Sequence, residues 1–128
     1  MYRDIDWLIF RKNLTGDRRQ DRMATLLLPY AAGQRPDAAR VTVERVDLQD
    51  PVALAYRVTV ADRQDLIIVS DGAFRTFIDG VAGAFRYARL SSTAGRVEAA
   101  SFVGVTRTQI DGLPPLRFDA PRDHEQAR

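Results

Sequence analysis

The stretch "VALAYRVTVADRQDLIIVSDG", residues 52–72, constrains the fold more than any other part of the chain. Val52, Leu54, Tyr56, Val58 and Val60 alternate with Ala53, Ala55, Arg57 and Thr59, the period of two that a half-buried strand requires. The polar link "ADRQ" follows, then a second apolar run that closes on Asp71-Gly72. A strand, a short polar turn and a strand make an antiparallel hairpin. An apolar run ending in a glycine turn also begins dinucleotide-binding units, but there it feeds an amphipathic helix. Here it leads into "AFRTFIDG", with Phe74, Thr76 and Ile78 on one face, then "AGAFRYARL" and "GRVEAASFVGVTRTQIDG". Asp-Gly and "SSTAG" turns part these three extended segments, and no room remains for a helix of about ten residues. The nucleotide-binding alternative fails.

Earlier segments follow the same plan. "IDWLIF" (5–10) and "MATLLLPY" (23–30) are short apolar runs, the second ended by Pro29, and "ARVTVERVDL" (39–48) sets Val41 and Val43 against Thr42 and Glu44. The chain of 128 residues therefore reads as one all-β domain over residues 1–118, with eight or nine strands at turn spacings of roughly 8–14 residues. The expected architecture is an antiparallel β-sandwich, jelly-roll-like or of two sheets, with a partly closed β-barrel as the alternative. "MATLLLPY" and "DLIIVS" are apolar without alternation, as in strands buried on both sides. The last ten residues, "DAPRDHEQAR" (119–128), are polar and without apolar periodicity, and are expected to form a flexible tail.

The residues of common catalytic and metal sites are sparse. Without cysteine there is no disulfide or thiolate metal site, and the one histidine, His124, falls in the expected tail, without a pocket or an orienting partner. The acid pairs in "DLQD" (47–50) and "DRQD" (62–65) sit at turns, where Asp caps backbone more often than it binds metal. Ser70 is outside any nucleophile elbow, and Ser91 and Ser92 are expected in a loop with Thr93 and Gly95. No catalytic residue, metal ligand or cofactor site is assigned. Lys12 is the sole lysine among 19 basic residues, which are interspersed with 17 acids rather than gathered in a stripe, and this argues against nucleic acid as partner. No run approaches the roughly 20 apolar residues of a membrane helix, and the acidic N-terminus is not an export signal. The compartment is cytoplasmic if the chain is complete, and periplasmic is open if it is a fragment.

The aromatic residues are spread over most strands and are core by default. Phe77, which breaks phase with Phe74, and Tyr87, beside Arg86 and Arg89, are the surface candidates for ligand contact. Arg86 and Arg89 are expected on opposite strand faces, so that at most one points at a given partner. Arginine forks suit carboxylate, sulfate or phosphate.

The order of motifs resembles the C-terminal β-rich region of heparinase II/III-like polysaccharide lyases. The resemblance is carried by Leu27 to Tyr30, Ala55 to Val58, Val69 to Gly72 and Gly104 to Gly112, over about residues 20–113. Such lyases join an α/α-toroid domain to β-sheet domains and cleave uronic-acid polysaccharides by β-elimination. Their catalytic Tyr, His, Asn and Arg come from the toroid and the first β layers, so no catalytic residue carries over. The resemblance implies an accessory, non-catalytic β-sandwich that supports or binds acidic polysaccharide. Its expected partners are that polysaccharide and a catalytic toroid domain or a second copy of the chain. The rival expectation is a structural or oligomerisation module with no small ligand.

Overall fold

The structure, a computed structural model, describes residues 41–128. The expected strands at 5–10 and 23–30 lie outside the described residues, as does Leu27 to Tyr30 of the family resemblance. Eight strands follow one another: β1 (Val41–Val46), β2 (Leu54–Val60), β3 (Arg63–Val69), β4 (Phe74–Ile78), β5 (Val81–Ala84), β6 (Tyr87–Thr93), β7 (Arg96–Ile110) and β8 (Leu116–Ala127). All pairings are antiparallel, in the order β1-β2-β3-β6-β7-β5-β4, with β8 also on β7. The described residues are all-β, as the alternation predicts.

The order looks crossed but is a simple meander of bent arms. β3 and β4 are consecutive parts of one arm, interrupted at residues 70–73, and β5 and β6 are parts of the next, interrupted at Phe85 and Arg86. β5 and β6 pair successively along the same side of β7, and the register slips by one between them: Ala84 opposes Arg107, while Tyr87 opposes Val103. Gly104 lies in that gap with φ of 66°, and the β7–β8 ladder is irregular at the same place. Such bulges bend strands and let them pass from one layer to another. A straight β7 of 15 residues would span about 50 Å. Instead, the Cβ direction of Gly112, just past its end, meets the Val97 carbonyl oxygen 3.9 Å away. In β8, Gln126 Nε2 likewise donates to the Pro114 carbonyl at 2.7 Å. One continuous sheet thus folds along a crease into a two-layered half-barrel, whose outer strands β1 and β8 do not pair with each other.

The core fills the fold of the crease. Phe85 lies between Phe77 and Phe102, with ring centroids 4.9 and 5.7 Å apart, among Ile68, Leu90 and Val105. Three phenylalanines between the layers leave room only for small residues at several facing positions, which Ala53, Ala55, Ala88 and Ala100 occupy.

Three expectations need correction. Phe77 is not a surface residue: its relative exposure is 0%, whereas Phe74 is 44% exposed beneath the Arg107 guanidinium. The inward face of β4 is set by Phe77, and the pairing slips between Thr76 and Ile78. The segment 119–128 is not a loose tail, because β8 runs through to Ala127 on the edge of β7. Leu116, Phe118, His124 and Gln126 are half-buried at even positions, a period of two hidden because two of the four are polar. Ser91 and Ser92 belong to β6, and the turn after it is Ala94-Gly95, both residues at positive φ, the geometry of a two-residue hairpin turn.

Candidate functional site

Residues paired across neighbouring strands point to the same side of the sheet. Register therefore assembles the face of the β1-β2-β3-β6-β7-β8 layer that turns away from the core. One row reads Arg45, Tyr56, Ile67, Arg89, Ser101 and Glu125 across six strands. Beside it, nearer the crease, runs Leu54, Val69, Tyr87 and Val103. Tyr56 and Tyr87 are half-buried, Arg45 and Arg89 are exposed, and Val69 and Val103 are 51% and 45% exposed. The result is a face with two half-buried tyrosines, exposed Val69 and Val103, and exposed Arg45 and Arg89.

Arg86 lies in the break between β5 and β6, just before Tyr87 of this face. Phe85 points into the core, then Arg86 is exposed and Tyr87 half-buried, so the strict alternation is broken. Its backbone is pinned on both sides: Arg86 N–H donates to the Val103 carbonyl at 3.0 Å, and its carbonyl accepts from Ser70 N–H at 2.9 Å. The sequence predicts Arg86 and Arg89 on opposite faces. Both are exposed, with Tyr87 between them in the chain. Of the four residues singled out from the sequence, Tyr87 and Arg89 share this face, Arg86 is exposed at the break just before Tyr87, and Phe77 is in the core.

The arginines of the fold divide into paired and unpaired ones among the described residues. Arg57 pairs with Glu44 at 3.1 Å and Arg63 with Asp65 at 3.3 Å. Arg75 grips Asp71 through two nitrogens, at 3.0 and 2.7 Å, and also binds Asp50. Among the described residues, Arg45, Arg86 and Arg89 make no ion pair. A guanidinium fork suits an anionic ligand such as a carboxylate.

Other polar clusters are occupied in holding turns and strands. Asp71 is held well below the usual carboxylate range, first by the Arg75 guanidinium and then by Ala73 N–H. Asp50 is lowered first by Val52 N–H and then by Arg75. This clasp ties the β1–β2 loop to the crease, and two of its acids cap turns. At the end of the fold, a cleft of about 350 Å³ is lined by Asp79, Gly80, Arg96, Asp111 and Arg128. There Asp111 N–H donates to the Gly80 carbonyl at 2.9 Å, and Gln49 Nε2 donates to Asp79 at 3.4 Å. Ser91 accepts from Arg63 at 3.2 Å, Ser92 donates to the Gln64 carbonyl at 3.3 Å, and the His124 ring packs tilted against Phe118, centroids 5.2 Å apart. Among the described residues, no three His, Cys, Asp or Glu side chains converge as metal ligands.

Tyr56 and Arg45 were not apparent from the sequence. The alternation in "VALAYRVTV" suggests that its large residues face the core, yet Ala53 and Ala55 do so and Tyr56 faces outward. The cue was the pair of alanines, small enough to lie against a phenylalanine cluster. No protein-family model, curated protein or solved structure matches the chain.

Proposed function

We propose that this domain is a non-catalytic β-sandwich that binds acidic polysaccharide across its outer face, as an accessory to a heparinase II/III-like lyase. The observation that carries the proposal is the face itself: Tyr56 and Tyr87 share it with Arg45 and Arg89, Arg86 is exposed just before Tyr87, and none of the three arginines is neutralised by an ion pair among the described residues. Tyrosine offers a flat face and a polar tip to a sugar ring, and arginine offers a planar fork to a uronate carboxylate.

The test is equilibrium binding of the purified protein to a uronate polymer, a neutral glucan and single-stranded DNA, each at two salt concentrations. Saturable binding to the uronate polymer alone, weakened but not abolished by salt, is expected. Binding to every polyanion that vanishes in salt would reduce the face to non-specific charge, and binding to none would overturn the proposal.

The exposed valines support a second reading, a structural module whose outer face seats a toroid domain or another copy of the chain. Val43, Val69 and Val103 are all exposed on this same face. Light scattering coupled to size exclusion separates the two: a dimer dissociated by Val69→Thr with Val103→Thr, together with no glycan binding, favours the second.

A further inference from the structure

Resting on that reading, we infer that Arg86, rather than Arg89 or Arg45, is the residue that reads the carboxylate, and that the crease exists in part to hold it ready. Its aliphatic stem lies across two glycines from different arms of the sheet. The Cβ position of Gly104 is 3.5 Å from Arg86 Cγ and Cδ, and that of Gly72 is 3.8 Å from Cγ. Both glycines have positive φ, at 66° and 90°, where side chains are disfavoured. The trough they leave is therefore kept open by backbone geometry. Gly72 N–H also donates to the Phe85 carbonyl at 3.2 Å, so the residue before Arg86 is fixed as well.

A stem set beside two glycines and a pinned backbone lower the freedom that an arginine loses on binding. Arg86 is exposed beyond that stem and precedes Tyr87 in the chain, and a guanidinium carries its five donors in a fixed fork. Arg89 and Arg45 stand in regular strand positions without such a trough and supply general attraction. The selectivity that follows is for a planar carboxylate beside a sugar ring, the chemistry of a uronate.

The experiment measures affinity for a uronate oligomer and for its carboxyl-reduced form with the wild-type chain, Arg86→Lys and Arg89→Lys. Lysine keeps charge and stem but loses the fork. Arg86→Lys is expected to weaken uronate binding about tenfold, the loss of one charge-assisted bond, while Arg89→Lys stays within about twofold. Equal losses in both variants, or no loss in Arg86→Lys, would overturn the assignment while leaving polysaccharide binding intact. Failure of the wild-type chain to prefer the uronate oligomer would remove the functional proposal and this inference with it. Should Arg86→Lys not fold, wild-type protein answers the same question by phenylglyoxal modification read by mass spectrometry. Bound oligomer is expected to protect Arg86 more than Arg89, and equal or absent protection at Arg86 would overturn the assignment.

Discussion

Phe74 and Phe77 stand three residues apart on β4, one beneath the Arg107 guanidinium at 4.6 Å and the other in the centre of the core. Truncating them separates surface from interior. Phe77→Ala leaves a void against Phe85 and is expected to cost about 3–5 kcal/mol in urea unfolding. Phe74→Ala removes an exposed ring and a cation–π contact worth about 0.5–1 kcal/mol. Similar losses in the two variants would contradict the packing described. The same pair shows how much the sequence reveals at this scale. Strand identity was legible, because period two survives in "AFRTFI" and "VALAYRVTV". The inward side was not, because both sides of these strands carry apolar residues. Choosing Tyr56 or Ala55 for the core depends on what lies opposite, and that is Phe77, Phe85 and Phe102 from elsewhere in the chain.

Between strands, the turns were the most legible elements. Asp71-Gly72, Asp79-Gly80 and Asp111-Gly112 all carry glycine at positive φ, so the Asp-Gly pairs mark real reversals or bends. β8 was missed because His124 and Gln126 occupy its half-buried positions, and a hydropathy period cannot register polar side chains used for packing. The clasp of Asp50, Asp71 and Arg75 was equally hidden, since its members come from a loop, the crease and β4. It has a pH signature. Both carboxyls titrate below their ordinary value of 3.8 in the folded protein. Their contribution is therefore complete above that value and is lost as pH falls through it toward the folded-state values. Arg75→Gln is expected to lower the melting temperature at pH 7, and the gap from wild type should narrow as pH falls from about 5 to 2. A gap that stays constant across that range would show that the ion pairs are not what Arg75 contributes.

At the scale of the whole molecule, the crease decides both the fold and the candidate site. It turns four successive arms over one another, brings Phe85 inward and Arg86 outward at adjacent positions, and places Gly104 where β7 changes layer. None of this was legible, because a bulge is a relation between two strands. A six-strand row such as Arg45 to Glu125 likewise exists only once every register is known. That dependence makes Gly104 the sharpest probe of the architecture. Its Cβ position meets Arg86 at ordinary contact distance, so an added methyl group costs little in space. The cost comes from φ of 66°, where an L-residue loses about 1–2 kcal/mol. Because both layers share one core, that loss belongs to the whole domain. Gly104→Ala is expected to shift the urea midpoint by this amount with an unchanged slope, and with coincident far-UV and tyrosine-fluorescence transitions. Two separate transitions would mean that the layers are independent units, and a stability unchanged from wild type would mean that the bend does not depend on glycine at 104.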